Sequence, residues 1–209
     1  MDRIKVYRLV LGPVATNTYL VAGADGREAF VVDPADSADY IEKCLQDQDL
    51  CLRGILLTHG HFDHIGALEQ LRRNGEVPVY ANALEKETLF DPRINLTQSE
   101  GFPISTQADI WLGDDEIFTL AGMRVQMFST PGHTAGGACY YLEEEKILFS
   151  GDTLFQGSVG RTDFPGGNME TLRLSIQKKL FSLPEDVAVC SGHGPGTTIG
   201  YEKKYNFMI

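Results

Sequence analysis

The 209-residue chain predicts an α/β fold in one domain, on two observations. Short apolar, β-branched runs alternate with segments of helical period along the whole length, and no linker or composition break divides them. Four of the apolar runs also lead straight into short loops that carry histidine or aspartate. A chain of this length can bury one sizeable core. Its 43% hydrophobic and 22% charged content suits a soluble globular protein.

The elements follow in order. Residues 5–11, 18–22 and 29–32 read as strands, broken by Gly12-Pro13 and Ala24-Asp25-Gly26. Residues 37–48 read as a helix with Ile41, Cys44 and Leu45 on one face. Residues 52–58 form a strand, and residues 63–73 a helix stopped by Asn74-Gly75. After a strand at 77–81, Asn82 with Glu85 three residues on resembles a capping box, opening a helix to about Phe90. From 91 to 107 the pattern fails, interrupted by Pro92, Gly101 and Pro103. Loops of that length are uncommon inside compact domains. This one is either a surface insertion or a flap facing substrate. Strands resume at 116–120 and at 123–129, the latter turning Met123, Val125 and Met127 inward. Further strands lie at 139–142, 146–150 and 187–190, with a helix at 168–181 before the last.

Charge and composition narrow the function classes. The formal net charge of −11 argues against nucleic acid, whose binding needs clustered Lys and Arg. No run approaches the ~18 apolar residues of a membrane span. The start, Met1 to Tyr7, reads as a strand and lacks the apolar core of a signal peptide. Cys44, Cys51, Cys139 and Cys190 form no CxxC pair and read as small buried hydrophobes in a reducing compartment. A cytoplasmic location is the resulting expectation.

The chemistry concentrates in Thr58-His59-Gly60-His61-Phe62-Asp63-His64, directly after Ile55-Leu56-Leu57. Imidazole and carboxylate are the ligands that zinc and similar divalent ions prefer. The two remaining histidines, His133 and His193, sit in Gly/Pro-rich loops after apolar runs, and Asp152 follows Ile147-Leu148-Phe149 in the same way. Four loops at strand ends can converge on one sheet edge. His59 and His61, two apart on an extended segment, can aim at one ion that His133 completes. Asp63 and His64 can aim at a second that His193 completes, with Asp152 bridging. Such a pair of ions would make hydroxide available near neutral pH and stabilise a developing oxyanion without a serine or cysteine nucleophile. Asp33, at the end of another apolar run, is either a group that orients the histidine loop or a plain turn residue.

With these residues in place, the sequence resembles the metallo-β-lactamase superfamily over nearly its whole length, through His193-Gly194-Pro195. Within it the sequence resembles the short, single-domain members of the glyoxalase II-like, hydroxyacylglutathione hydrolase-type branch. The resemblance implies an αββα sandwich of two mixed sheets flanked by helices. It places a first metal on His59, His61 and His133 and a second on Asp63, His64 and His193, bridged by Asp152. Two divalent ions are implied, zinc first, with iron or manganese accepted by the same ligands. Common dizinc β-lactamases carry cysteine where Gly151-Asp152 stands, which argues against antibiotic hydrolysis.

The implied activity is hydrolysis of a small thioester such as S-lactoylglutathione by a metal-bridging hydroxide. Long glyoxalase II enzymes add a C-terminal helical domain, and hold the glutathione glycine carboxylate with a lysine and a tyrosine. Here the corresponding loop reads Gly160-Arg161-Thr162-Asp163-Phe164. Arg161 either grips a substrate carboxylate bidentately or fixes its own loop in an ion pair. The rival branch, persulfide dioxygenases, shares the HxHxDH run and the GRTDF loop. It would use one iron on His59, His133 and Asp152.

Overall fold

The structure, a computed structural model, describes residues 4–73 and 77–209. The helix stop expected at Asn74-Gly75 and the first three residues of the chain lie outside them. One sheet has the order β1 (Lys5–Leu11), β2 (Thr16–Ala22), β3 (Glu28–Val32), β4 (Cys51–Leu56), β5 (Val79–Asn82), β6 (Ile110–Leu112). Its first three strands pair antiparallel, and β3 to β6 run parallel. The second sheet is built from β7 (Ile117–Leu120), β8 (Met123–Ser129), β9 (Ala138–Leu142), β10 (Ile147–Gly151), β13 (Ala188–Ser191) and β14 (Thr197–Thr198). Its spatial order is β14-β13-β10-β9-β8-β7. A two-strand ribbon, β11 (Leu154–Phe155) with β12 (Ser158–Val159), stands apart.

The strand period of two sorts the side chains into layers. Along β2, Tyr19 and Val21 face the other sheet, while Leu20 and Ala22 face helices. All seven β2 residues are therefore buried, as expected for strands covered on both faces. The inner layer unites Phe30, Val32 and Leu56 of one sheet with Met123, Val125, Met127, Tyr140 and Phe149 of the other. The inward turn expected for the three alternating β8 residues is what the structure shows. Outside the first sheet lie α1 (Ala38–Asp47) and α3 (Leu68–Arg73), through Ile41, Leu45, Leu68 and Leu71. Outside the second lie α5 (Met169–Lys178) and α6 (Ile199–Tyr205), through Leu172, Ile176 and Ile199. The result is the four-layer αββα sandwich.

Several boundaries differ from expectation for local reasons. The helix expected over 63–73 is two helices, α2 (Phe62–Ile65) and α3. The Ala67 amide bonds Pro34 O instead of continuing the helix, and a Cβ on Gly66 would stand 2.2 Å from Ala35 O. The expected capping box is half formed. Asn82 accepts from the Leu84 amide and opens a 3-10 turn into α4 (Lys86–Phe90), but Glu85 points inward to other partners. All four cysteines are free; Cys139 is buried as expected, but Cys51 is exposed.

Candidate metal centre

Pairing directions explain why distant loops meet. Strands β8 and β10 both run antiparallel to β9, and β13 runs parallel to β10, so all three end at one edge. Those ends carry His133, Asp152 and His193. The fourth strand, β4, belongs to the other sheet, so the loops converge across the sandwich edge and not on a single sheet as the sequence suggested. The Ala138 amide donates to Thr58 O at 2.8 Å, joining the two sheets beside the histidines.

All seven expected ligand residues fall into three overlapping groups whose donor atoms lie within 4.8 Å of one another. These are His59, His61 and His133; His59, His64 and Asp152; and Asp63, His64 and His193. The rings of His59, His61 and His133 meet edge to face with centroids 4.7–4.8 Å apart. Asp152 faces both ends of the set. Its Oδ1 lies 3.4 Å from His64 Nε2, and its Oδ2 lies 3.5 Å from His193 Nε2 and 3.7 Å from His133 Nε2. Asp63 Oδ2 lies 3.2 Å from His193 Nε2 and 3.4 Å from His64 Nε2. Two glycines make room for Asp152. Gly151 adopts φ +47 with Thr58 Oγ1 2.2 Å from where a Cβ would be, and a Cβ on Gly192 would meet Asp152 Oδ1 at 2.2 Å.

Electrostatics divides the set. Burial first, then neighbouring histidines, hold His59 well below the ordinary histidine range. The same causes bring His61 down to about 3. Burial also lowers His133, against the pull of Asp152 and the Arg161 carbonyl. For His64 burial acts downward too, but Asp63, Asp33 and Asp152 outweigh it and raise the ring well above 6.5. His193 is raised, its hydrogen bond to Asp63 and the charge of Asp152 overcoming burial. Burial would raise Asp63 and Asp152, yet the surrounding histidines lower both. The His59–His61–His133 side thus favours neutral imidazole, and on the other side the carboxylates favour protons on His64 and His193 that a bound divalent cation would displace.

A divalent cation fits this arrangement. Nε2 of His59, His61 and His64 and Oδ1 of Asp152 are buried without a hydrogen-bond partner among the described residues. Buried polar atoms are otherwise almost always paired. The outer nitrogens are fixed by partners of their own. His64 Nδ1 donates to Asp33 Oδ2 at 2.9 Å, and His133 Nδ1 donates to Arg161 O at 2.7 Å. Asp33, at φ +51 after β3, also accepts from the Thr58 amide (2.7 Å) and hydroxyl (2.6 Å). Of its two sequence readings, the orienting one is what the contacts support.

Arg161 resolves differently. Its guanidinium forms a fork with Asp163 (2.7 and 2.6 Å) over the ring of Phe164, and its side chain is 59% exposed. The guanidinium is paired within its own loop, and the Arg161 carbonyl touches the site.

Three contributors escaped the sequence reading. Glu85 is fully buried and accepts from the Gly60 amide (2.9 Å), the Thr134 hydroxyl (2.9 Å) and the Gly136 amide (2.8 Å). It ties the HxHxDH loop to the His133 loop. Its only sequence signal was the Asn82–Glu85 spacing, which also fits a cap. Thr16 donates to Asp63 Oδ2 at 2.7 Å, and the neighbouring Asn17 amide bonds Gly192 O at 2.7 Å. Neither β2 residue carries a sequence signal for this role.

Comparisons with known proteins agree with the fold. The family model described as "Metallo-beta-lactamase superfamily" matches residues 11–193. The chain is 38% identical over 205 residues to the probable metallo-hydrolase YqgX of Bacillus subtilis (strain 168), covering 97% of this chain and 96% of that one. It is 39% identical over 185 residues to the hydroxyacylglutathione hydrolase GloC of Haemophilus influenzae, covering 87% of each. Among solved structures, BLEG-1 B3 metallo-β-lactamase superposes with TM-score 0.92 at 42% identity, covering 97% of this chain and 98% of that one. TTHA1623 in a di-iron-bound form gives 0.84 at 36%, covering 98% and 100%. ETHE1 from Myxococcus xanthus gives 0.79 at 28%, covering 97% and 83%.

Proposed function

The chain belongs to the metallo-β-lactamase superfamily, and from that membership we propose that it is a two-metal hydrolase of a small thioester, of the hydroxyacylglutathione hydrolase type. The observation that carries the reading is the convergence of five histidines and two aspartates, four of which (His59, His61, His64 and Asp152) hold a buried polar atom with no hydrogen-bond partner among the described residues. His59, His61 and His133 would hold one divalent ion, Asp63, His64 and His193 the second, and Asp152 would serve both. Ions bound there would supply Lewis acidity, acidifying water near neutral pH and polarising a carbonyl. Zinc and iron both suit these ligands. One structural relative, TTHA1623, has a di-iron-bound form.

The chain's own residues prepare that chemistry. Asp33 and the Arg161 carbonyl hold the Nδ1 protons of His64 and His133, turning each Nε2 toward the cluster. Thr16 pins the Asp63 carboxylate, and Glu85 keeps the two histidine loops in register. A thiolate leaves readily without a dedicated general acid, so the absence of one from the reading is no obstacle. The substrate is a small molecule. The Arg161–Asp163 fork speaks for a weaker hold on a glutathione carboxylate than a free arginine would give.

The test is metal content per purified chain, measured beside hydrolysis of S-lactoylglutathione and a simple acetyl thioester. Oxygen uptake with glutathione persulfide and hydrolysis of a β-lactam are run in parallel. Two metals per chain with thioester cleavage is the expected result. One iron with persulfide-dependent oxygen uptake would move the assignment to a dioxygenase. The B3 metallo-β-lactamase among the relatives makes the β-lactam arm necessary, and turnover there alone would overturn the thioester reading.

A further inference from the structure

Residues 91–107 form no regular strand or helix, yet they are firmly built. Asn95 and Thr97 are fully buried, Asn95 O accepts from the Phe62 amide at 2.9 Å, and the Asn95 amide group reaches Ile104 O at 2.9 Å. The Thr97 hydroxyl accepts from the Ile104 amide at 2.8 Å. This segment therefore holds a fixed wall against α2, the helix that carries Asp63 and His64.

Between that wall and the β1–β2 turn lies a cavity of about 310 Å³. Pro13, Phe62, Phe102 and Ile104 supply its apolar lining. Its ionisable lining residues are all carboxylates, namely Asp36, Glu100 and Asp63. Asp63 lines this cavity and also belongs to the ligand group with His64 and His193, so the cavity abuts the candidate reaction centre at that carboxylate. The volume sits at the lower end of small-ligand pockets, which are largely pre-formed and apolar.

We propose that this cavity is a specificity pocket that receives one arm of the substrate, an apolar arm ending in a neutral or ammonium group, and that it excludes an arm ending in a carboxylate. The proposal rests on the thioester reading above. Apolar walls reward each added methylene by about 0.8 kcal/mol, or roughly fourfold. A carboxylate entering beside Asp36 and Glu100 meets like charge with no basic residue in the lining, a repulsive element that discriminates by exclusion. An ammonium group meets complementary charge.

Two series of thioesters decide the matter and identify the arm. One varies the acyl group (acetyl, butanoyl, 4-(trimethylammonio)butanoyl, glutaryl) on N-acetylcysteamine. The other varies the thiol (ethanethiol, butanethiol, 4-(trimethylammonio)butanethiol, 4-mercaptobutanoate) on an acetyl group. In one series kcat/KM should climb several-fold with chain length, hold for the quaternary ammonium and fall at least tenfold for the carboxylate. Phe102→Ala should flatten the climb, and Glu100→Lys should recover the carboxylate substrate. Phe102 is 47% exposed, so its truncation leaves the core intact. Binding of the matching non-hydrolysable thioethers, followed by calorimetry on the metal-loaded protein, gives a readout independent of turnover. Thioester turnover with no chain-length or charge preference, unchanged in Phe102→Ala, refutes the pocket and leaves the reaction standing. Thioether binding with the preference, lost in Phe102→Ala, without turnover refutes the reaction and leaves the pocket standing.

Discussion

Truncating Glu85 to alanine would strand the donors that now converge on its carboxylate. The Gly60 and Gly136 amides have no freedom to turn elsewhere, whereas the Thr134 hydroxyl can rotate. Each stranded buried amide costs about 1–3 kcal/mol. Two of them, with the void left by a fully buried side chain, give an expected loss of about 4 kcal/mol. That is a large part of a typical native stability of ~5–15 kcal/mol. Because Gly60 lies between His59 and His61, metal content should fall together with stability. The charge adds a pH signature. Burial, working against its hydrogen-bond donors, pushes the Glu85 carboxyl from 4.5 up to about 7. The folded state then holds a proton that the unfolded state has lost, so this group's contribution to stability declines as pH rises from about 4.5 to 7. Between pH 5.5 and 8 the decline is about 2 kcal/mol, at ~1.36 kcal/mol per pKa unit. Glu85→Gln does not titrate, so its stability relative to wild type should improve by that amount across the interval. Urea unfolding of both variants and wild type at the two pH values, with metal analysis, measures all of this. An alanine variant within 1 kcal/mol of wild type and fully metallated would refute the latch. A pH-independent gap between glutamine variant and wild type would refute the charge argument.

Three further outcomes follow from the ligand geometry. Asp152→Ala removes the one carboxylate that faces both ends of the set, and should lower metal content toward one ion per chain and thioester kcat/KM by about 100-fold, ~2.7 kcal/mol. Retention of two ions with full turnover would dismiss its bridging role. His193→Ala should deplete the ion held with Asp63 and His64 while sparing the His59–His61–His133 group; spectroscopy on the cobalt-substituted protein distinguishes the two, and an unchanged second site would count against the assignment. Asp33→Asn keeps a residue tolerant of the left-handed backbone but loses one acceptor for His64 or Thr58, and should weaken metal affinity by about 10–100-fold in chelator competition. Wild-type affinity would reduce Asp33 to a turn residue.

The candidate ligand set was legible in the chain because its chemistry is carried by residue type and local spacing. Histidine at 59, 61 and 64 with Asp63 needs no tertiary knowledge to be read as a ligand run, and the inward alternation of Met123, Val125 and Met127 follows from the strand period alone. The apolar runs before His133, Asp152 and His193 announced strand-end loops for the same local reason. The break at Gly66 was decided by tertiary contact, because it depends on the Ala35 carbonyl standing where a side chain would go. So was the fate of Glu85, whose spacing from Asn82 fits a helix cap equally well until the loops of His61 and His133 close around it. Arg161 reads in sequence as a residue for substrate or for its loop, and only the structure shows its fork with Asp163. The cavity beside Asp63 joins residues 13, 62 and 102, whose association no local pattern encodes. Local propensity and period are properties of neighbours in sequence. Which buried donor meets which acceptor, and which loop walls a cavity, depends on chain segments that only the packed sandwich brings into contact.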